Sequence, residues 1–488
     1  MDTNEVRVRI APSPTGRLHL GSARAALFNY LFAKKTNGKF ILRIEDTDTE
    51  RSKSEYEADI IEGLNWLGLK WDEGPLSKDP KGPYRQSERL EIYKQYIEKL
   101  ISDGNAYRCF CTIEELEAQR ERAQLEHKPF VYSGKCRNLS EVELAQKTQA
   151  QAPFVIRFKT AEKIIEFNDL IRGKIAVDTK TIGDFVIVKS DSTPLFLLAS
   201  AIDDGLMEIS HIIRGEDHIS NTPKQLMLFD ALGFRAPIYG HLPLVVNPDH
   251  TKLSKRKNPT SVSADFKNKG YLPDAMINFI ALMGWNPKDE REYFTLAELE
   301  SEWQIENVGK SPAVFDIKRL EHFNSYYIRK MQLGELAEVA KPFIMGQDSE
   351  LLSHSEKNKD LYFSALALVQ ERIRRLDEIP SLIMFFFFPD YNLDKKTILE
   401  KKFPEQLFEI VFSEIVEQLK NQETLSREAW ETYLRALAEK HSISAGALLW
   451  AIRYTLTGQT ASPGAFEMLT VLPKEEVISR LQRAIDLK

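Results

Sequence analysis

Ala11-Pro12-Ser13-Pro14-Thr15-Gly16-Arg17-Leu18-His19-Leu20-Gly21-Ser22 is the stretch on which the reading of this chain turns. The residues just before it, Val6-Arg7-Val8-Arg9-Ile10, alternate apolar and charged as a strand does. Pro12, Pro14 and Gly16 forbid a regular element through the turn itself. After Gly21 the run Ala23-Arg24-Ala25-Ala26-Leu27-Phe28-Asn29-Tyr30-Leu31-Phe32 reads as helix. Strand, turn and helix in that order aim the helix's unpaired N–H groups and positive dipole end at the turn, a favourable place for a phosphate. Gly21 would let such a ligand lie against the backbone, where any side chain would collide. His19 can donate a hydrogen bond to a phosphate without being charged. The alternative is a proline-rich turn with a surface histidine.

A second string, Lys252-Leu253-Ser254-Lys255-Arg256-Lys257, follows the apolar run Leu242-Pro243-Leu244-Val245-Val246 and an Asn247-Pro248-Asp249 turn. Alone, a short basic cluster reads as a solvated loop. With the first string it gains a second reading. Lys252 and Lys255 could close on the β- and γ-phosphates of a nucleotide and neutralise charge that builds during attack at the α-phosphate.

Together and in this order, the two strings resemble the ATP-handling motifs of class I aminoacyl-tRNA synthetases. Flanking strings narrow the resemblance to the glutamyl-tRNA synthetase family of bacterial type. These are Arg9-Ile10-Ala11-Pro12-Ser13-Pro14-Thr15-Gly16, Ala26-Leu27-Phe28-Asn29-Tyr30, Arg43-Ile44-Glu45-Asp46-Thr47-Asp48 and Gly82-Pro83-Tyr84-Arg85-Gln86-Ser87-Glu88-Arg89. Ile213-Arg214-Gly215-Glu216-Asp217, Leu282-Met283-Gly284-Trp285 and Leu456-Thr457-Gly458 extend it over essentially the whole chain.

The resemblance implies an α/β class I fold. A Rossmann-like parallel sheet (1–105 and 196–250) is split by an α+β connective insertion that binds the tRNA acceptor end (106–195). A lysine-loop and stem-contact segment (251–320) and an all-α anticodon-binding part (321–488) follow. It implies ATP-dependent activation of glutamate to glutamyl-adenylate and transfer to the 3′ end of tRNA(Glu), with ATP and Mg²⁺. His19, Lys252 and Lys255 would be catalytic, and His19, Gly21, Ser22, Ser254 and Lys255 would bind ATP. Arg9, Ala11, Ser13, Glu45, Phe196 and Arg214 would bind glutamate. Arginine suits a carboxylate because its planar fork makes two parallel charge-assisted bonds, and Glu45 would face the ammonium. A surface ion pair is the alternative for Arg9 and Glu45.

Composition agrees. At 488 residues the chain is expected to hold about two to four domains. A 43% hydrophobic and 28% charged content is that of a soluble globular protein. Residues 1–10 carry no apolar signal core. Leu382-Ile383-Met384-Phe385-Phe386-Phe387-Phe388, between Pro380 and Pro389, is too short for a membrane span and reads as the buried face of a helix. Three cysteines argue against a disulfide framework, and a cytoplasmic monomer is expected. The net charge of −6 does not itself suggest a nucleic-acid partner, so any tRNA surface must be local. Residues 252–269 offer one, with six basic residues against Asp265. Beyond residue 321 the pattern is almost wholly helical, and the 195–213 stretch reads as the sheet resuming.

Three places carry open alternatives. The family shows Pro-Thr-Tyr before the second pocket wall, where this chain reads Pro194-Leu195-Phe196-Leu197-Leu198-Ala199-Ser200. Phe196 lacks the tyrosine hydroxyl, and Phe196 and Leu197 could equally be buried strand residues. Cys109-x-Cys111 and Cys136, with Tyr132 four residues earlier, have the spacing of a zinc site in some family members; the alternative is reduced cysteines left from a lost site. Arg372, placed on a helix with Val369-Gln370-Glu371, matches a position that in the family reads the first anticodon base. Its alternative is a solvated Arg372/Arg374/Arg375 face. The competing functions are a form that also charges tRNA(Gln), a glutaminyl-tRNA synthetase, a shorter relative that modifies a tRNA base, and a non-catalytic tRNA-binding regulator.

Overall fold

The alternating residues form strand β1 (Arg7–Ile10), which is buried along its whole length rather than on one face. Its two arginines are buried because each meets a carboxylate. Arg7 grips Glu73 through both terminal nitrogens at 2.8 and 2.6 Å, and Arg9 reaches Asp204. In this computed structural model, which describes residues 5–251, 253, 260–421 and 425–487, the chain forms two compact units. One comprises Met1–Asn268 with Pro273–Ile317, the other Lys269–Leu272 with Lys318–Lys488.

In the first unit β1 leads into helix α1 (Leu20–Lys35). Apolar residues lie almost all round this helix, so it is enclosed rather than half-exposed. Phe28 packs edge-on against Trp303, and Asn29 donates from Nδ2 to the Ile213 carbonyl at 2.8 Å. The return to β2 (Lys39–Leu42) passes Gly38, where a Cβ would sit 2.3 Å from the Val6 carbonyl. Only glycine fits so tight a return. β2 pairs parallel with β1. Helices α2 (Ser54–Trp66) and α3 (Leu90–Ser102) complete this half.

The next residues form β3 (Ala106–Cys109), helices α4 (Ile113–Leu125) and α5 (Glu141–Gln149), β4 (Val155–Phe158), the hairpin β5 (Ile164–Asp169) and β6 (Gly173–Asp178), and β7 (Val186–Val188). Capping boxes at Thr112/Glu115 and Ser140/Glu143 start the two helices. Strands β3, β4 and β7 make a small antiparallel sheet. The hairpin instead joins the main sheet.

Residues 195–213 are not a resumed strand. They begin with helix α6 (Phe196–Leu206), and only then comes β8 (His211–Gly215). A continuous apolar run cannot be told from a buried helix by periodicity. Helix α7 (Thr222–Leu232) leads to β9 (Ile238–Leu242), parallel to β8. The sheet order is β6-β5-β9-β8. Ser210 ties β8 to β1, its N–H donating to the Arg7 carbonyl at 2.9 Å. The short strand β10 (Val245–Val246), helices α8 (Pro273–Leu282) and α9 (Leu296–Glu302) and strand β11 (Ala313–Val314) finish this unit, β10 pairing parallel with β11.

From α10 (Ile317–Lys330) onward the chain is helical among the described residues. It continues through α11 (Leu333–Gln347), α12 (Ser349–Lys357), α13 (Lys359–Gln370) and α14 (Ile379–Phe387), then through further helices to Ile485. The greasy run of residues 382–388 lies mainly on α14, with Ile383, Phe385 and Phe386 buried. No helix among the described residues is long and apolar enough to cross a membrane.

Candidate active site

A cavity of about 570 Å³ opens where β1 runs into α1 and β8 and β9 end. His19 is the N-cap of α1, its Nδ1 accepting the Gly21 N–H at 3.1 Å. Nδ1 is therefore unprotonated and Nε2 carries the proton, so a neutral His19 keeps a donor. A Cβ on Gly21 would meet only His19 Nδ1, at 3.5 Å, an ordinary contact. The protein itself does not need glycine there, but a ligand in the cavity would. Ser22, Ala11 and Ser13 line the same space.

Lys252, Ser254 and Lys255 lie outside the described residues. Their neighbours are placed. Leu253 lines the cavity, and on the far side Thr260 accepts the Leu20 N–H at 2.8 Å while Val262 donates to the Leu18 carbonyl at 2.9 Å. Leu253, Thr260 and Val262 thus all lie near the His19 turn.

The opposite wall is charged. The Glu45 backbone N–H donates to the Pro12 carbonyl at 3.0 Å, fixing Glu45 against the turn. Its buried carboxylate accepts from Ser200 Oγ at 2.7 Å and Arg43 Nη2 at 3.1 Å. Burial raises the Glu45 pKa, although Arg43 and Ser200 oppose it. Ser200 is thus used to hold Glu45.

Arg9 is committed through Nε and Nη2 to Asp204, at 3.1 and 3.2 Å. Arg43 meets the same carboxylate at 2.7 Å. The neighbouring Asp203 takes Arg89, Gln86 and Tyr93. The sequence reading missed Asp203, Asp204 and Arg43. Two adjacent carboxylates inside an apolar helix were the available signal, since buried charges demand partners.

Arg214 differs from Arg9 and Arg43, which both meet Asp204. It is buried, yet among the described residues it has no ion-pair partner. It donates to Thr222 Oγ1 at 2.9 Å and more weakly to the His218 carbonyl and His241 Nε2, both at 3.4 Å. Its Nη1 has no partner at all. Burial pushes its pKa down to about 10, so it stays charged at neutral pH. Arg24, also missed, lies buried in the same lining with its pKa pushed down to about 10 by burial and with two nitrogens unpartnered. Phe196, the first residue of α6 rather than a strand residue, lines the cavity and packs on the His218 ring.

This cavity therefore combines a phosphate-type helix N-terminus, an uncompensated arginine and a buried carboxylate. Residues 5–322 match the catalytic domain of class I tRNA synthetases (E and Q), and 335–485 an anticodon binding domain. The chain belongs to the class I tRNA synthetase family of the glutamate and glutamine type. It is 43% identical to the glutamate–tRNA ligase of Sulfurihydrogenibium sp. (strain YO3AOP1), over 98% of this chain and 99% of that one. It is 42% identical to that of Symbiobacterium thermophilum over 98% and 99%. A crystal structure of a glutamate tRNA ligase from Elizabethkingia meningosepticum CCUG26117, in complex with its amino acid, matches with a TM-score of 0.87 at 34% identity, covering 99% of this synthetase and 100% of that chain.

Away from the cavity, the synthetase brings Cys109, Cys111, Tyr132 and Cys136 together. The three sulfurs lie within 4.8 Å of one another, and the Tyr132 hydroxyl is 3.3 Å from Cys109 Sγ and 3.4 Å from Cys111 Sγ. Around a tetrahedral zinc with bonds of about 2.3 Å, sulfurs stand roughly 3.8 Å apart, and Cys111 and Cys136 are 3.6 Å apart. The donor set fits. Burial works against the Cys109 thiolate, but hydrogen bonds from Tyr132 and the Arg157 cation leave its pKa lowered.

In the helical unit, Arg372 is not on a helix: α13 ends at Gln370, and residues 371–373 form a turn. Its guanidinium donates to the Ser462 carbonyl and to Glu467, both at 3.1 Å. Arg374 and Arg375 instead turn to Glu321 and Asp377, so the three do not make one solvated face.

Proposed function

We propose that this enzyme activates glutamate with ATP, taken as its magnesium complex, and transfers the glutamyl group to the 3′ end of tRNA(Glu). The substrate α-carboxylate attacks the α-phosphorus and pyrophosphate leaves. The terminal ribose hydroxyl of tRNA then attacks the acyl carbon and AMP leaves. The observation that carries the substrate choice is Arg214, a buried cation left without a carboxylate in a cavity whose other wall holds Glu45. Glutamate supplies a side-chain carboxylate for Arg214 and an ammonium for Glu45, whose contacts with Arg43 and Ser200 both fall on one carboxylate oxygen. Glutamine would leave the Arg214 charge unanswered, and a site built for a polar partner rejects a ligand that lacks it.

His19 Nε2 and the α1 N-terminus receive the phosphates, with Gly21 and Ser22 beneath the nucleotide. Lys252, Ser254 and Lys255 supply the remaining phosphate contacts, and charge stabilisation by Lys255 carries the activation step. Arg9, Ala11, Ser13 and Phe196 shape the amino-acid wall. Residues 106–195 grip the acceptor end, 251–320 the stem and 321–488 the anticodon. Cys109, Cys111, Tyr132 and Cys136 would hold zinc, which when bound stabilises the fold of the insertion rather than taking part in chemistry. Arg372 reads the anticodon and confines the enzyme to tRNA(Glu). The enzyme acts as a monomer in the cytoplasm, where its product is used.

Charging of separate tRNA(Glu) and tRNA(Gln) pools with labelled glutamate and labelled glutamine tests the assignment. Glutamate on tRNA(Glu) alone is the expected result. Glutamine charging would overturn it.

A further inference from the structure

Arg214 is held from behind by groups outside the cavity. β8 carries Arg214, and His241 is its direct cross-strand partner on β9. β5, the next strand, ends at Asp169. Guanidinium, imidazole and carboxylate thus follow one another across three adjacent strands, with His241 and Asp169 fully buried.

The proton positions follow from the contacts. Asp169 Oδ1 accepts the backbone N–H groups of Ile171, Arg172 and His241, at 2.9, 2.8 and 3.2 Å. Oδ2 lies 2.6 Å from His241 Nδ1. The imidazole proton on that side therefore points at the carboxylate, and Nε2 is left as an acceptor. Nε2 has Arg214 Nε at 3.4 Å and Thr222 Oγ1 at 3.0 Å. Because Thr222 Oγ1 already accepts from Arg214 Nη2, its own O–H is directed at Nε2. Burial and the nearby Arg214 both favour the neutral ring, against the pull of Asp169.

We infer that His241 and Asp169 are positioning residues for Arg214: they fix its guanidinium with neutral acceptors and keep the nearest supporting carboxylate one ring away. A carboxylate in direct contact would pair with Arg214 and compete with the substrate. An imidazole oriented by a carboxylate gives direction without neutralising the charge. The hairpin that interrupts the sheet sequence thereby contributes to amino-acid selection, through a residue that never meets the substrate. The inference rests on Arg214 being the receiver of the substrate side-chain carboxylate.

The test uses the full-length enzyme in aminoacylation, measuring KM for glutamate and for ATP and the inhibition constant of glutamine. His241→Asn keeps a donor for Asp169 but removes the acceptor at Nε2. Displacing a recognition group by about 1 Å costs up to roughly 100-fold, so KM for glutamate should rise at least about tenfold, with KM for ATP unchanged. The preference for glutamate over glutamine should fall by a similar factor. His241→Gln can place a carbonyl oxygen near the Nε2 position and should recover most of the loss. Asp169→Asn should shift the same constants by less, and it supplies the comparison if His241→Asn does not fold. Equal behaviour of His241→Asn and His241→Gln, a parallel rise in both KM values, or an unchanged preference for glutamate would overturn the inference. Arg214→Gln separates the two levels. If it raises KM for glutamate while His241→Asn does not, only the positioning role falls; if it leaves that KM unchanged, the reading of Arg214 itself falls.

Discussion

Glu45 and Gly21 are single residues whose cost to the fold and use to the site point in opposite directions. Burial raises the Glu45 pKa, so the folded protein holds a proton there more tightly than the unfolded chain does. The sign follows: the ionised carboxylate costs stability above the raised pKa, and that cost is relieved as pH falls through it. Binding runs the other way, because the substrate ammonium needs the ionised form. KM for glutamate should therefore rise on acidification at a pH above the ordinary carboxylate range, while the fold does not weaken on account of this group. Glu45→Gln should raise KM at every pH and remove that acid limb; a limb that survives would assign it elsewhere. Gly21 gives the second contrast. Its added Cβ meets only an ordinary contact, and alanine is favoured in a helix over glycine by up to about 1 kcal/mol. Gly21→Ala should hold or raise the melting temperature while raising KM for ATP. A loss of stability with unchanged nucleotide binding would make Gly21 a folding residue only.

Whether an element could be read from sequence depended on how local its cause is. His19, Gly21 and the helix after them were legible because cap, turn and helix lie within a few residues of one another. Cys109, Cys111, Tyr132 and Cys136 were legible because β3 and a short loop bring four donors together across 28 positions of one small module. Helix α6 was misread as strand because its apolar run has no period that separates the two. Asp204 stands 195 residues from Arg9, and Asp169 stands 72 from His241. Nothing local marks those partners, since only the tertiary fold makes them neighbours. The cysteine module also yields a prediction at this scale. Protein prepared without chelators should carry about one zinc per chain, and Cys136→Ser should release it and expose the 106–195 segment to proteolysis. Tyr132→Phe should keep the three thiolates but weaken retention of the metal against a chelator. Metal analysis finding no zinc in the parent would leave the cysteines as a remnant.

Across the whole molecule, two choices must agree: on the proposed division the first unit selects the amino acid and the second the tRNA, so an error in the first gives glutaminyl-tRNA(Glu) and an error in the second glutamyl-tRNA(Gln). Amino-acid choice has a buried cation behind it and is expected to be strict. Choice of tRNA is assigned to Arg372, whose side chain is 47% exposed and shares Glu467 and the Ser462 carbonyl. An ion pair that exposed contributes about 0–1 kcal/mol, so Arg372→Gln should leave the helical unit folded. That makes it a clean probe of specificity. A guanidinium offers only donors, suited to the carbonyl of an anticodon cytosine, whereas glutamine both donates and accepts and tolerates alternatives. The Glu467 carboxylate accepts from the Arg372 guanidinium at 3.1 Å and adds a negative charge to that turn. Arg372→Gln should therefore charge tRNA(Gln) with glutamate, while kcat on tRNA(Glu) changes little. Glu467→Gln should instead strengthen binding of both tRNAs, most visibly at low salt, because it removes a negative charge that repels phosphate. If the parent enzyme already glutamylates both tRNAs with similar efficiency, Arg372 is not the discriminating residue, and the chemistry at Arg214 and Glu45 stands unaffected.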